Sequence, residues 1–181
     1  KIGSVNTLVR RADGSIYGDN TDAYGFELLV RKSGIDVRGK KALVLGSGGA
    51  SVTVCSVLAS LGADPVVVIS RSGADNYENI KERHADAEFP RCCGVLDIIY
   101  NPERTELLLA AERLGIPHAG GLYMLVAQAK RSSELFTGIR ITDSEIERIE
   151  KKLAAAMKNI VLIGMPGCGK STVAGLLGAA L

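Results

Sequence analysis

No stretch of this chain is apolar for long. Runs such as Ala42–Leu45, Val66–Ile69 and residues 160–163 hold four residues each, where a helix needs roughly 20 to cross a bilayer. No membrane association is expected. No basic run exceeds two residues and the net charge is only +2, so the electrostatic footprint of a nucleic-acid binder is missing. The opening Lys1-Ile2-Gly3-Ser4 lacks the apolar centre of a signal peptide, and no methionine starts it. We expect a cytoplasmic protein whose sequence here begins inside a longer one. The four cysteines, Cys55, Cys92, Cys93 and Cys168, show neither metal-ligand nor disulfide-framework spacing. They read as reduced thiols. Repeats and low-complexity segments are absent as well.

What is present is a rhythm. Strands over residues 4–10 and 15–17 should flank an Asp-Gly turn. Asn20 or Thr21 then caps a helix to Ser33, stopped by Gly34. From Gly39 onward strands (41–45, 65–69, 94–100, 116–119) alternate with helices (52–61, 76–85, 103–114, 122–136). Asn101-Pro102 offers a cap and a first-turn proline to the third of these helices. Alternation of this kind predicts an α/β fold with a doubly wound parallel sheet of Rossmann type. Thr142 and Glu145 form a capping-box pattern before a helix over 143–156, whose Ile146, Ile149 and Leu153 make a narrow apolar stripe. A new strand follows Met157, and the domain boundary is placed there.

Gly46-Ser47-Gly48-Gly49-Ala50-Ser51 falls between a buried strand and a helix, where a pyrophosphate meets a helix N-terminus. Gly46 permits the tight turn and Gly48 lets the backbone approach phosphate. The second strand of the unit ends in Ser70-Arg71-Ser72, with no acidic residue directly after Ile69. An Asp or Glu there would suit the ribose 2′-hydroxyl of NAD, whereas an Arg suits a 2′-phosphate. NADP is favoured over NAD.

Five separated segments resemble shikimate dehydrogenase in its own order: Ser4-Val5-Asn6-Thr7-Leu8, Gly18-Asp19-Asn20-Thr21-Asp22, the turn from Gly46 to Ala50, Asp97-Ile98-Ile99-Tyr100-Asn101-Pro102, and Gly121-Leu122-Tyr123-Met124-Leu125-Val126-Ala127-Gln128. The resemblance covers about residues 1–156 and implies reduction of 3-dehydroshikimate to shikimate with NADPH. It implies that Asn6, Asp22 and Gln128 hydrogen-bond the substrate hydroxyls. Asp22 would also be half of a Lys–Asp catalytic pair, and Tyr100 would meet the substrate carboxylate. Ile98, Gly121 and Met124 would line the nicotinamide. Gly46, Ser47, Gly48, Gly49 and Ala50, with Ser70, Arg71 and Ser72, would hold the pyrophosphate and adenosine phosphate. On that basis residues 1–22 are a remnant of a substrate domain and 23–156 the NADP-binding domain.

Two departures stand out. The family's catalytic lysine belongs to a segment preceding Lys1. Its strand and Asn-Thr-Thr-Pro-x-Gly-Met loop, normally placed before the Tyr100 strand, has no counterpart, because Glu88 runs straight into Phe89-Pro90-Arg91. The sheet must then close a gap or leave an unpaired edge.

Gly164-Met165-Pro166-Gly167-Cys168-Gly169-Lys170-Ser171 is a full GxxxxGK[ST] match after an apolar run. The backbone amides of Gly167, Cys168, Gly169 and Lys170 would cradle ATP phosphates, with Gly164 and Thr172 also in the ATP site; the Lys170 side chain would reach the β and γ groups, and Ser171 would ligate Mg2+. The loop resembles the start of shikimate kinase, so residues 157–181 read as its opening unit. One helix after the loop is too little for phosphoryl transfer, and weak phosphate binding is expected.

Overall fold

A computed structural model describes residues 3–84, 91–158 and 161–180. The chain opens with the antiparallel pair β1 (Thr7–Arg10) and β2 (Ile16–Asp19), registered Thr7 to Asp19 and Arg10 to Ile16. Arg11 and Gly14 close its turn through Arg11 N–H to Ser15 O (2.8 Å) and Gly14 N–H to Arg11 O (3.0 Å). Helix α1 (Thr21–Ser33) follows. Asn20 is its cap, accepting the Ala23 N–H, and Gly34 at φ 70° ends it in the left-handed conformation that costs a glycine least.

Two parallel pairs come next. Strand β3 (Ala42–Leu45), helix α2 (Gly49–Ser60) and strand β4 (Val66–Ile69) form a βαβ unit whose strands run side by side from Ala42–Val66 to Leu45–Ile69. After a single turn, α3 (Ile80–Arg83), come β5 (Val95–Leu96), α4 (Glu106–Arg113) and β6 (His118–Ala119), with β5 and β6 parallel. The long helix α5 (Leu122–Thr137) packs back over α1, α6 (Asp143–Ala156) packs on α5, and α7 (Lys170–Ala180) closes the described chain.

The expected continuous parallel sheet is interrupted. Both parallel pairs feed the main apolar cluster, yet no ladder joins β3 to β5. Residues 70–84 contain no strand to stand between them. Among the described residues no strand pairs with these edges, and Leu45 at the end of β3 and Ile98 just past β5 are exposed. Four other expectations also shift. The strand over 94–100 stops at Leu96, because the Asp97 carboxylate accepts Ile99 N–H (3.0 Å) and Thr105 O–H (2.6 Å), folding the chain into a turn. Thr105, not Asn101, then caps α4 through Leu108 N–H. The helix over 76–85 shortens to Ile80–Arg83, where the Asn76 and Asn79 side chains bond the local backbone instead, and its last residue lies outside the described part. Finally, the Thr142–Glu145 capping box does not form: the Thr142 hydroxyl meets Ser144, and Glu145 pairs with Arg148.

The core is aliphatic and helical. Phe26, Leu29 and Val30 of α1 meet Val54, Val57 and Leu58 of α2, Met124, Val126 and Ala127 of α5, and Ile146 of α6, which is wholly buried. A smaller cluster, Val95, Leu108, Ala111 and Ile116, lies under α4. Ile149 and Leu153 of the expected stripe stay partly exposed. Residues 161–180 add nothing to either cluster. The strand expected after Met157 includes residues 159 and 160, outside the described part, and Val161–Ile163 are not in a strand. No described helix is long and apolar enough to cross a membrane.

Candidate functional site

The glycine turn leaves β3 at Gly46, whose N–H donates to Ile69 O at the end of β4 (2.7 Å). The carboxyl ends of the two strands therefore lie side by side, at the edge where open α/β sheets bind ligands. Gly46 has φ 113°, a conformation that a side chain resists. A Cβ added at Gly46, Gly48 or Gly49 would meet nothing within 4 Å, so the turn opens onto free space. Helix α2 has Gly48 at its cap position, no side-chain cap and no acid in its first turn. No acidic side chain of its own first turn opposes the positive end of the helix, which fits a bound phosphate. Ser47 is exposed and Ala50 half-buried beside them. Ser70 is buried, while Arg71 and Ser72 are exposed just past the end of β4, and among the described residues Arg71 forms no ion pair.

At the start of α1, Asn6 Oδ1 accepts Thr21 N–H (2.9 Å), the Thr21 hydroxyl (3.2 Å) and the Thr7 hydroxyl (3.1 Å), pinning β1 to this helix. Thr21 also receives the Ser132 hydroxyl from α5 (3.3 Å). A methyl group on Gly25 would stand 2.7 Å from Met124 O and 3.3 Å from Gln128 Cβ, so only glycine allows α1 and α5 this close. Half-buried Asp22 lies one turn before Gly25, on the same helix face. The fold therefore brings Asn6, Asp22 and Gln128 to one junction. The family resemblance implied such a grouping, although the three residues lie far apart in the sequence.

Tyr100, Ile98 and Gly121 gather elsewhere. Tyr100 is exposed at the turn after β5, not on a strand. Gly121 sits against the Ile98 carbonyl, which leaves no room for a side chain, and its N–H donates to Ile99 O (3.1 Å). Met124 is buried against Gly25. A cavity of about 190 Å³ reaches Tyr100 and Gly121 and is walled by Glu103, Glu112 and His118. It does not include the glycine turn, Asn6, Asp22 or Gln128.

Several polar residues with structural tasks gave no sequence signal. Lys130 of α5, nearly buried, donates to Tyr24 Oη (3.0 Å) and pairs with Glu134 (3.3 Å) and Asp143 (3.0 Å). Burial alone would lower its pKa, yet the bonds to Tyr24, Asp143 and Glu134 outweigh it and push the amine above its ordinary value. Glu134 likewise is opposed by burial but held below the usual carboxylate range by the Ile141 N–H and Lys130. Arg131 bonds Asp19 at 3.0 Å, tying β2 to α5. Thr53, buried in α2, faces Asn20. Charges and hydroxyls at helical spacing carry no mark of such long-range partners.

In the second glycine loop, Gly167 and Gly169 have φ of 79° and 81°, and α7 starts at Lys170. Lys170 Nζ donates to Gly164 O (2.7 Å) and Met165 O (2.6 Å), with Cys168 Sγ 3.6 Å away. Ser171 and Thr172 are exposed, and Val161, Ile163 and Met165 before them lie largely in solvent.

Parallel strand ends that carry an open glycine turn and an uncapped helix define a Rossmann-type dinucleotide-binding protein. No family profile matches the chain. The NADP(+) shikimate dehydrogenase of Clostridium perfringens is 30% identical over 187 residues, spanning 84% of this chain and 69% of that protein. The chain belongs to the shikimate dehydrogenase family of oxidoreductases. Among solved structures, a chorismate mutase/shikimate 5-dehydrogenase fusion protein from Clostridium acetobutylicum superposes with a TM-score of 0.78 at 28% identity, covering 87% of this chain and 69% of that one. Shikimate dehydrogenase 1 from Peptoclostridium difficile gives 0.73 at 29% identity with the same coverage. The 187-position alignment uses only 84% of 181 residues. The relative therefore carries residues with no counterpart here.

Proposed function

We propose that this chain binds NADPH and 3-dehydroshikimate and serves the reduction of the ketone to shikimate. The observation that supports it most is the Gly46 N–H to Ile69 O bond, which sets the glycine turn beside the Ser70-Arg71-Ser72 segment. The α2 amides and Gly46–Ala50 would then hold the pyrophosphate, and Arg71 with Ser70 and Ser72 the 2′-phosphate. NADPH supplies the hydride. Asn6 and Gln128 orient the substrate hydroxyls, Tyr100 meets its carboxylate, and Asp22 holds a proton beside the reacting oxygen. Ile98, Gly121 and Met124 back the nicotinamide. In this reading residues 1–22 belong to the substrate-binding part, 23–156 to the cofactor domain and 157–181 to a separate phosphate-loop unit.

A thermal-shift titration tests the reading. At a hundredfold excess over Kd, NADPH adds about 2.7 kcal/mol of stability. NADH at equal concentration gives less protection, and Arg71→Glu removes that difference. An unchanged preference in Arg71→Glu overturns the role of this guanidinium, and no shift with either cofactor overturns the oxidoreductase reading.

A second reading, for residues 164–172 alone, is favoured by the Lys170 amine folded onto the Gly164 and Met165 carbonyls. That amine is placed where loop phosphates of ATP would draw it away, with Ser171 as the magnesium-side hydroxyl. The loop's likeness to shikimate kinase makes shikimate phosphorylation the activity of a complete unit. Protection by ATP–Mg2+, absent in Lys170→Ala, is the outcome that supports it.

A further inference from the structure

Two asparagine hubs lie side by side where the opening segment meets the cofactor domain. The first is Asn6, described above. The second is Asn20. Its Oδ1 caps α1 by accepting Ala23 N–H (3.1 Å), which fixes the direction of the amide. Its Nδ2 then donates to Ser4 Oγ (2.8 Å), Ser4 O (3.2 Å) and Thr53 Oγ1 (3.2 Å). The Ser4 hydroxyl is also 3.5 Å from Thr53 Oγ1, at the limit of a hydrogen bond. Thr53 is 3% exposed and sits one turn into α2, among apolar neighbours. Nothing in the packing requires a hydroxyl there.

The positions decide what such a bond can do. Thr53 lies two residues past Gly49–Ser51, the residues whose amides would carry the pyrophosphate. Asn20 precedes Thr21, which Asn6 grips, and Asp22, the proposed acid. A shift of α2 relative to Asn20 therefore reaches Asn6 and Asp22 within two residues. Conversely, a phosphate that fixes the first turn of α2 fixes the acceptor on which Asn20 rests. We propose that the Thr53 hydroxyl is a positioning group that ties the substrate-side segment to the pyrophosphate helix, so that NADPH and shikimate bind with positive coupling. The inference rests on the dehydrogenase reading. By linkage each ligand tightens the other by the same factor.

The test is calorimetric titration of the full chain with shikimate, with and without saturating NADPH, the ratio of the two Kd values being the coupling factor. Thr53→Val keeps the shape and removes the hydroxyl. It lowers the coupling factor about three- to tenfold, the equivalent of one hydrogen bond, while NADPH alone binds within about twofold of the unaltered chain. Thr53→Ser restores the factor. Asn20→Asp keeps the capping oxygen, removes the donor, and gives the same loss independently, so a poorly folding Thr53→Val leaves the test intact. A melting temperature lowered with coupling untouched makes Thr53 a packing residue only and overturns the inference, as does a coupling factor of one in the unaltered chain. Failure of that chain to bind NADPH at all sinks the dehydrogenase reading, a separate outcome.

Discussion

The chain holds two glycine loops with the same local chemistry and opposite tertiary support. Gly46–Ala50 joins β3 to α2 in the packed part: β3 is paired along its length to β4, and α2 buries Val54, Val57 and Leu58 against α1. Gly164–Ser171 follows a segment in which Val161, Ile163 and Met165 are 76%, 92% and 79% exposed, and α7 leaves Val173 and Leu176 in solvent. Both loops offer backbone amides at a helix start. Only the first has its amides fixed by a core, and preorganised donors bind phosphate better than donors that must first be ordered. A motif is a local event, while the rigidity that makes it a site comes from elsewhere.

The largest test of that contrast is in the cores. Ile146→Ala, at a wholly buried position, should cost about 2–4 kcal/mol in urea unfolding. Ile163→Ala should cost less than about 0.5 kcal/mol; equal losses would mean that the second loop is packed after all. Next comes the turn itself. Gly46→Ala, at φ 113°, should cost about 1–2 kcal/mol and abolish NADPH protection, whereas Gly167→Ala should leave that protection intact. The smallest effect is the pH dependence of the Lys130 clamp. Glu134 titrates below its ordinary value of 4.5. Its contribution is therefore complete above that value and is lost as pH falls through the lower folded value. Glu134→Gln should flatten the acid limb of stability between pH 5 and 3 on the order of a few tenths of a kcal/mol.

The limits of α1 and α6 were legible because they are set by nearest neighbours, whereas those of α3 and α4 were not. Asn20 and Gly34 bracket α1 as the residue types dictate, and Thr142 and Ala156 bound α6 at the expected places. The β5 strand was misjudged because the largely apolar segment from Val95 to Tyr100 predicts extension, while the Asp97 carboxylate diverts the backbone at its third residue. Of the site, the glycine turn and the Asn6, Asp22 and Gln128 positions were readable as residues. Their convergence was implied by the family resemblance alone and has no local mark, since it depends on Gly25 letting α5 come within contact of α1. Thr53 gave no signal at all, because a threonine in an apolar helix has the same letters whether or not an asparagine 33 residues earlier reaches it.

By itself the amino-acid order determined where the chain turns, which helices form, and that a dinucleotide-type turn follows a buried strand, all consequences of φ preferences, capping and short-range hydrophobic spacing. Only the tertiary structure decided that the two parallel strand pairs remain separate sheets among the described residues, that three distant polar residues share one junction, and that one glycine loop stands on a core while the other stands in water. Those outcomes depend on which apolar faces find partners, and partners far apart in sequence leave no local trace.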